Sequence, residues 1–88
     1  MSWTIELSRR AAKEYEKLPP DRQELVGRAL EEMKEDPFRG AVKPLKGKQW
    51  KGRYRKRVAG YRLIFTPFRT SRVVEISAIM LRSESTYW

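Results

Sequence analysis

The segment YRKRVAGYRLIF, residues 54–65, contains two runs of alternating side chains with Ala59-Gly60 between them. A two-residue connection that includes glycine is typical of a β-hairpin, because glycine readily adopts the positive φ that such turns require. The pattern therefore predicts two antiparallel strands, near residues 50–58 and 61–66. This hairpin is the feature from which the rest of the chain can be interpreted.

Alternation along these strands predicts which basic side chains can act together. Successive strand residues point to opposite faces, so Arg55 and Arg57 share one face. The other face then carries Tyr54, Lys56 and Val58. We expect Leu63 and Phe65 in the core, which leaves Arg62 on the open face. Three guanidinium groups there would suit a phosphate held by bidentate hydrogen bonds. The alternative is that each arginine is a rim residue whose stem covers the sheet.

Apolar periodicity before the hairpin predicts an N-terminal strand over residues 3–7 and two helices, near 9–18 and 21–35. Ser8 is predicted to cap the first helix, and Asp21 is predicted to form a capping box with Glu24 at the start of the second. Pro19-Pro20 separates the helices, and Asp36-Pro37 ends the second. The predicted buried stripe of the second helix consists of Leu25, Val26, Ala29, Leu30 and Met33.

The remaining segments complete a sheet. We expect a loop over residues 38–49 with a short extended piece at 42–45, a looser connection over 67–72, and a most buried strand over 73–81. The order βααβββ predicts a single α+β domain spanning residues 1–88. In this domain a helical hairpin packs on one face of a mainly antiparallel sheet.

Positive charge is concentrated in the second half of the chain. Residues 43–62 contain nine Lys or Arg and no Asp or Glu, interleaved with Trp50, Tyr54 and Tyr61. Residues 1–42 carry eight basic and nine acidic side chains, whereas residues 43–88 carry twelve and two. Phosphate neutralisation and base stacking both need such a surface, so the pattern favours a nucleic-acid site. The alternative is a solvated strand face that happens to be basic.

The composition also excludes several kinds of chemistry. The chain has no cysteine and no histidine, which removes disulfides, thiolate chemistry, the commonest general base and the usual zinc ligands. We therefore expect no metal and no cofactor. No signal peptide or membrane-spanning run is apparent, so a cytoplasmic protein is expected.

The run Pro44-Leu45-Lys46-Gly47, followed by residues 54–65, resembles the RelE/ParE superfamily of toxins from toxin–antitoxin pairs. The resemblance covers nearly the whole chain and implies the same βααβββ order. It leaves two activities open, because the RelE branch cleaves mRNA in the ribosomal decoding site while the ParE branch poisons DNA gyrase. The RelE-like branch is the one that we favour from the sequence.

The resemblance also implies roles for individual residues. Positions matching Arg55 and Arg57 hold the RNA backbone, the position matching Arg62 stabilises the phosphorane, and Arg82 with Tyr87 completes the catalytic site. The full set of expected RNA-binding residues is Lys46, Lys48, Lys51, Arg53, Arg55, Lys56 and Arg57. The C-terminal motif departs from the family pattern, because its usual glycine is missing and Ser83 stands where an arginine is common. Glu84 is a candidate substitute acid or base.

Three functions therefore remain as hypotheses. The first is a ribosome-dependent endoribonuclease in which the ribose 2′-OH attacks the adjacent phosphate, with Tyr87 as base or stacking platform. Neighbouring guanidinium groups would lower the pKa of Tyr87 by favouring the phenolate. The second is a gyrase-inhibiting toxin without nuclease activity, and the third is a basic RNA-binding module. Either toxin implies an acid-rich cognate antitoxin as partner, and the nuclease also implies the ribosome and mRNA.

Overall fold

A computed structural model describes residues 2–81, which form one five-stranded sheet with two helices on one side. In chain order the elements are β1 (Thr4–Leu7), α1 (Arg9–Glu16), α2 (Pro20–Glu35), β2 (Val42–Pro44), a 3-10 turn (Lys48–Trp50), β3 (Tyr54–Val58), β4 (Tyr61–Phe68) and β5 (Val73–Leu81). The strands lie in the order β1-β5-β4-β3-β2. All neighbours are antiparallel except β1 and β5, which confirms the expected α+β class.

The β3–β4 hairpin has the predicted turn. Ala59 and Gly60 have φ values of 52° and 83°, the paired left-handed conformation of a type I′ turn. Val58 and Tyr61 pair directly across it. Because the turn sets the register, Arg57 pairs with Arg62, so both side chains point to the same face.

The core lies between the sheet and the helices, and β5 is the strand most deeply involved in it. Leu63, Phe65, Val74 and Ile76 are fully buried against Val26 and Met33 of α2, together with Trp3, Ala11 and Ile79. The β4–β5 register shifts between Ile64 and Phe65. This bulge lets both strands keep apolar residues on the helix side above and below it.

Helix α1 replaces β1 as the neighbour of β5 where β1 ends. Pairing of β1 with β5 stops at Leu7 and Ile76. Beyond that point the Ser8 hydroxyl donates to the Ser77 carbonyl (3.1 Å) and also accepts from the Ala11 N–H (3.1 Å), as predicted for a helix cap. One oxygen of Glu14 accepts from the Ile79 N–H at 2.7 Å. The cap residue Ser8 and Glu14 of α1 thus satisfy strand groups that β1 does not reach.

Two predictions about α2 are wrong. The helix starts at Pro20 with Pro19 as its cap, and no side chain caps it, so the Asp21–Glu24 capping box is absent. Proline is well tolerated at the first helical position, because its missing N–H would have no partner there. Glu24 instead accepts from Arg28 at 2.8 Å.

The second wrong prediction concerns the buried stripe of α2. Leu25 is 39% exposed, whereas Val26, Ala29 and Met33 are buried and Leu30 packs partly against the core. The buried residues of α2 follow one another at spacings of three and four, which places them on one side of the helix. Leu25 lies at the edge of that side and is therefore partly exposed to solvent.

Two element boundaries also differ from the expectation. Strand β3 begins at Tyr54 rather than near residue 50, because Gly47 and Gly52 adopt positive φ and a 3-10 turn occupies Lys48–Trp50. Strand β4 continues to Phe68, two residues beyond the expected end, because Pro67 and Phe68 pair with Val74 and Val73.

Candidate nucleic-acid interface

The sheet face away from the helices carries a group of basic side chains, which we call the arginine face: Lys43, Arg55, Arg57 and Arg62. Arg57 pairs directly with Arg62, and Lys43 of the edge strand β2 pairs directly with Arg55. Arg55 and Arg57 are two residues apart on β3 and therefore point the same way. The predicted sharing of one face by the three arginines is confirmed.

The direct pairing of Lys43 with Arg55 carries an electrostatic cost when no anion is bound. Directly opposed side chains in an antiparallel pair have Cβ atoms about 5 Å apart, and like charges in such pairs destabilise the sheet. The ion pairs described for residues 2–81 lie on α1 and α2, and none of them includes Lys43, Arg55 or Arg57. An anion bound among these groups would relieve the repulsion.

The loop between β2 and β3 lies beside the arginine face. Leu45 packs against Ile64, Ala78 and Met80, which form a small apolar cluster on that side of the sheet. The Leu45 N–H also donates to the Arg53 carbonyl at 2.9 Å. These contacts anchor a loop with three exposed lysines, Lys46, Lys48 and Lys51.

The chain matches a known protein family over most of its length. Residues 5–86 match the family described as the ParE toxin of type II toxin–antitoxin systems, parDE. The chain belongs to the ParE toxin family. No curated protein matches the sequence significantly.

Solved structures show the same fold in RelE proteins. The RelBE toxin–antitoxin complex from Mycobacterium tuberculosis is 24% identical with a TM-score of 0.82, covering 93% of this chain and 100% of that one. The archaeal RelE–RelB complex from Pyrococcus horikoshii is 19% identical with a TM-score of 0.81, covering 97% and 100%. A free E. coli RelE mutant is 25% identical with a TM-score of 0.73, covering 97% and 88%. This toxin therefore has the fold of the RelE/ParE superfamily.

Lys56 does not lie with the other residues expected to bind RNA. It is only 6% exposed, and its side chain points toward the helices, where Nζ donates to the Arg39 carbonyl at 2.6 Å. The expectation that Lys56 binds RNA is therefore wrong, because alternation puts its side chain on the opposite face of β3 from Arg55 and Arg57. We therefore leave it out of the interface.

Two of the three aromatic residues in the basic segment are also unavailable for base stacking. Tyr54 stacks on Phe65 with ring centroids 5.7 Å apart, and Tyr61 packs against the core. Trp50 lies in the loop, half-buried, with the Arg53 guanidinium 5.6 Å from its ring centroid. Of the three rings, that of Trp50 is the one on the loop beside the arginine face.

Lys43 is the interface residue that the sequence interpretation missed. It pairs with Arg55 in β2, and alternation over the short extended piece at 42–45 was the signal that would have identified it. The other expected catalytic residues, Arg82 and Tyr87, and the candidate Glu84 lie outside the described residues. A catalytic site formed by Arg82 and Tyr87 together with Arg62 is therefore an expectation from the family resemblance.

The described residues favour anion binding by guanidinium and ammonium groups. Within residues 2–81, no three His, Cys, Asp or Glu side chains cluster as a metal site would require. Over the same residues no helix has the length and apolar character needed to cross a membrane. The interface is a shallow basic surface, with a depression of about 190 Å³ lined by Gly40–Lys43, Arg55 and Arg57.

Proposed function

We propose that this toxin is a ribosome-dependent mRNA endoribonuclease that inhibits translation. The observation that carries the proposal is the arginine face. Arg57 and Arg62 are directly opposed on it, and Arg55 lies two residues before Arg57 on the same strand and points to the same face. Guanidinium groups so placed can contact several oxygens of one or two phosphates. Lys43 is directly opposed to Arg55 in the same way, and an anionic ligand would relieve the repulsion in that pair.

The reaction follows from the chemistry of RNA. The ribose 2′-oxygen bonds to the adjacent phosphorus as the bond from phosphorus to the 5′-oxygen breaks, leaving a 2′,3′-cyclic phosphate and a 5′-hydroxyl. Negative charge grows on the phosphorane, so a guanidinium such as Arg62 lowers the barrier by stabilising it. We assign Arg55, Arg57, Arg53 and the loop lysines Lys46, Lys48 and Lys51 to holding the RNA backbone. Proton transfer from the 2′-hydroxyl and to the 5′-oxygen is assigned to Tyr87 and Arg82.

The central test is Arg62→Ala in single-turnover cleavage of mRNA on programmed ribosomes. We expect the rate to fall by about 100- to 1,000-fold, as when one donor to a developing oxyanion is lost. The unfolding free energy should change by less than about 1 kcal/mol, because Arg57 no longer faces a like charge. Arg22→Ala, an exposed arginine on α2, is the matched control and should cleave normally. A folded Arg62→Ala protein that cleaves at the wild-type rate contradicts the proposal.

Variants of the other residues separate binding from chemistry. Arg55→Ala and Arg57→Ala should weaken RNA binding and reduce its salt dependence, because they contact phosphates before the reaction as well as during it. Tyr87→Phe should abolish cleavage and keep binding if the hydroxyl moves a proton. Wild-type cleavage by Tyr87→Phe would limit this residue to stacking.

DNA gyrase inhibition without nuclease activity is the second candidate, and the match to the ParE toxin family favours it. In that case mRNA on programmed ribosomes should stay intact, and DNA breaks should accumulate when purified gyrase and DNA are incubated with the toxin. Gyrase-dependent breaks without mRNA cleavage would replace the nuclease proposal.

A further inference from the structure

A second basic surface lies at the other end of the sheet, at the turn between β4 and β5. We call it the turn patch: Arg69, Thr70, Ser71 and Arg72, all exposed. Phe68 is six residues from Arg62 and four from Ile64, which pairs with Arg55, so the patch lies about 13 to 20 Å from these arginines along the strand. One phosphate cannot contact both surfaces.

The two guanidinium groups of the turn patch are held on aromatic rings. The Arg69 guanidinium lies 4.6 Å from the Phe38 ring centroid, and that of Arg72 lies 5.4 Å from the centroid of Trp3. The two rings contact each other edge to face, with centroids 6.3 Å apart. Cation–π contacts of this kind restrict the side chains while leaving the N–H groups at the guanidinium edges available.

The backbone of the turn is also fixed. The Thr4 N–H donates to the Arg72 carbonyl at 2.8 Å, which ties the turn to β1, and the Ser71 hydroxyl donates to the Phe68 carbonyl at 3.4 Å. Arg72 has a φ of 58°, a left-handed conformation that disfavours a long side chain. Strain of this kind is often retained at functional positions.

Neither guanidinium has an acidic partner in the described part of the chain. The ion pairs found among residues 2–81 do not include Arg69 or Arg72. The nearest carboxylate along the Phe38 segment, Asp36, accepts from the Phe38 backbone N–H at 2.9 Å. Two ordered guanidinium groups without an acidic partner among residues 2–81, beside the exposed Thr70 hydroxyl, form a suitable site for phosphate oxygens.

We propose that the turn patch is a second nucleic-acid site, which grips the phosphate backbone of RNA independently of the arginine face. The basic character of the rest of the sheet, with nine Lys or Arg and no Asp or Glu over residues 43–62, favours an extended polyanion such as nucleic acid over a short acidic peptide. The inference does not depend on whether the toxin cleaves mRNA or inhibits gyrase.

The test measures binding of a fluorescein-labelled 20-base-pair RNA duplex to the full-length toxin at several salt concentrations. The variant is Arg69→Gln/Arg72→Gln. Each lost phosphate contact removes about 0.9 from the slope of log affinity against log salt, so the slope should shrink by roughly 2. Affinity at 0.1 M salt should fall about tenfold or more. The control, Arg22→Gln/Arg28→Gln on α2, removes the same charge and should change affinity less than threefold.

Three further measurements make the outcome decisive. Arg69→Lys/Arg72→Lys keeps the charge but loses the planar fork, so its salt slope should stay near wild type while its affinity falls. Thermal melts must show that every variant is folded. Equal losses in the α2 control would overturn the proposal, because general charge would then explain binding. The proposal would also be overturned if Arg69→Gln/Arg72→Gln lost affinity for polyglutamate but not for the RNA duplex. That result would assign the patch to an acidic protein.

Discussion

At the scale of single residues, Ala59 and Gly60 determine how the basic side chains meet. Both have positive φ, and together they join β3 to β4 without an extra residue. The register that results places Arg57 opposite Arg62. A turn longer by one residue would put one of these guanidinium groups on the helix side. The turn thus links backbone conformation to the proposed function.

The two turn residues should respond in opposite ways to substitution. Gly60→Ala should lower the unfolding free energy by about 1–2 kcal/mol, because φ is 83° and a Cβ there gains no contact within 4 Å. Ala59→Asn should raise it by about 0.5–1 kcal/mol, because asparagine tolerates the left-handed conformation better than alanine. Urea midpoints at an unchanged m-value measure both changes. A neutral Gly60→Ala would contradict the assigned turn type.

At the scale of elements, α1 completes β5 as well as covering the core. The Glu14 carboxylate accepts from the Ile79 N–H where β1 no longer supplies a partner. The same carboxylate pairs with Arg10 at 3.3 Å on the exposed side of the helix. Ile79 precedes Met80, the residue of β5 that pairs with Arg62. By binding the Ile79 N–H, α1 therefore helps to order the strand next to the arginine face.

Glu14→Ala should therefore lower the unfolding free energy by about 1.5–3 kcal/mol, the range for a lost hydrogen bond to a charged group. Hydrogen exchange at the Ile79 amide should accelerate with it. Glu16→Ala, an exposed position on the same helix, makes the same change in composition and should have little effect. Glu14→Gln keeps a neutral oxygen that can accept the hydrogen bond, so its loss of unfolding free energy should lie between the losses of Glu14→Ala and Glu16→Ala. Unchanged exchange at Ile79 in Glu14→Ala would refute this role.

At the scale of the whole molecule, the formal charge of +9 is unevenly distributed. Ion pairs on α1 and α2 compensate much of the charge of the helical hairpin, whereas the arginine face, the loop lysines and the turn patch lie on or at the ends of the sheet. A surface of this kind binds nucleic acid nonspecifically unless a partner covers it. For the toxin of a toxin–antitoxin pair, the antitoxin is the candidate for such a partner.

We expect the cognate antitoxin to place an acid-rich, amphipathic helix or strand against the basic sheet surface. Co-expression with the adjacent gene product should yield a stable complex. The affinity of that complex for the RNA duplex should be much lower, with a shallower salt slope, than that of the free toxin. A complex that forms but binds RNA as the free toxin does would place the antitoxin elsewhere. The absence of any complex at low and moderate salt would contradict the partner assignment.

Local sequence patterns determined the elements and the family of this protein. Period-two alternation and the Ala59-Gly60 turn predicted the hairpin, and Ser8 predicted the start of α1, because these features depend on backbone geometry over a few residues. The shared face of Arg55, Arg57 and Arg62 followed from the same alternation once the turn length was known. Contiguous motifs were likewise sufficient to indicate the RelE/ParE superfamily.

Only the tertiary structure decided what each side chain meets. Lys56 differs from its neighbours in role because a carbonyl at Arg39, distant in sequence, lies beside its ammonium. The turn patch depends on Trp3 and Phe38 meeting Arg72 and Arg69 across the fold. Burial, ion pairing and cation–π contacts depend on distances between segments, and these distances are set by how the helices and strands pack together rather than by neighbours in the chain.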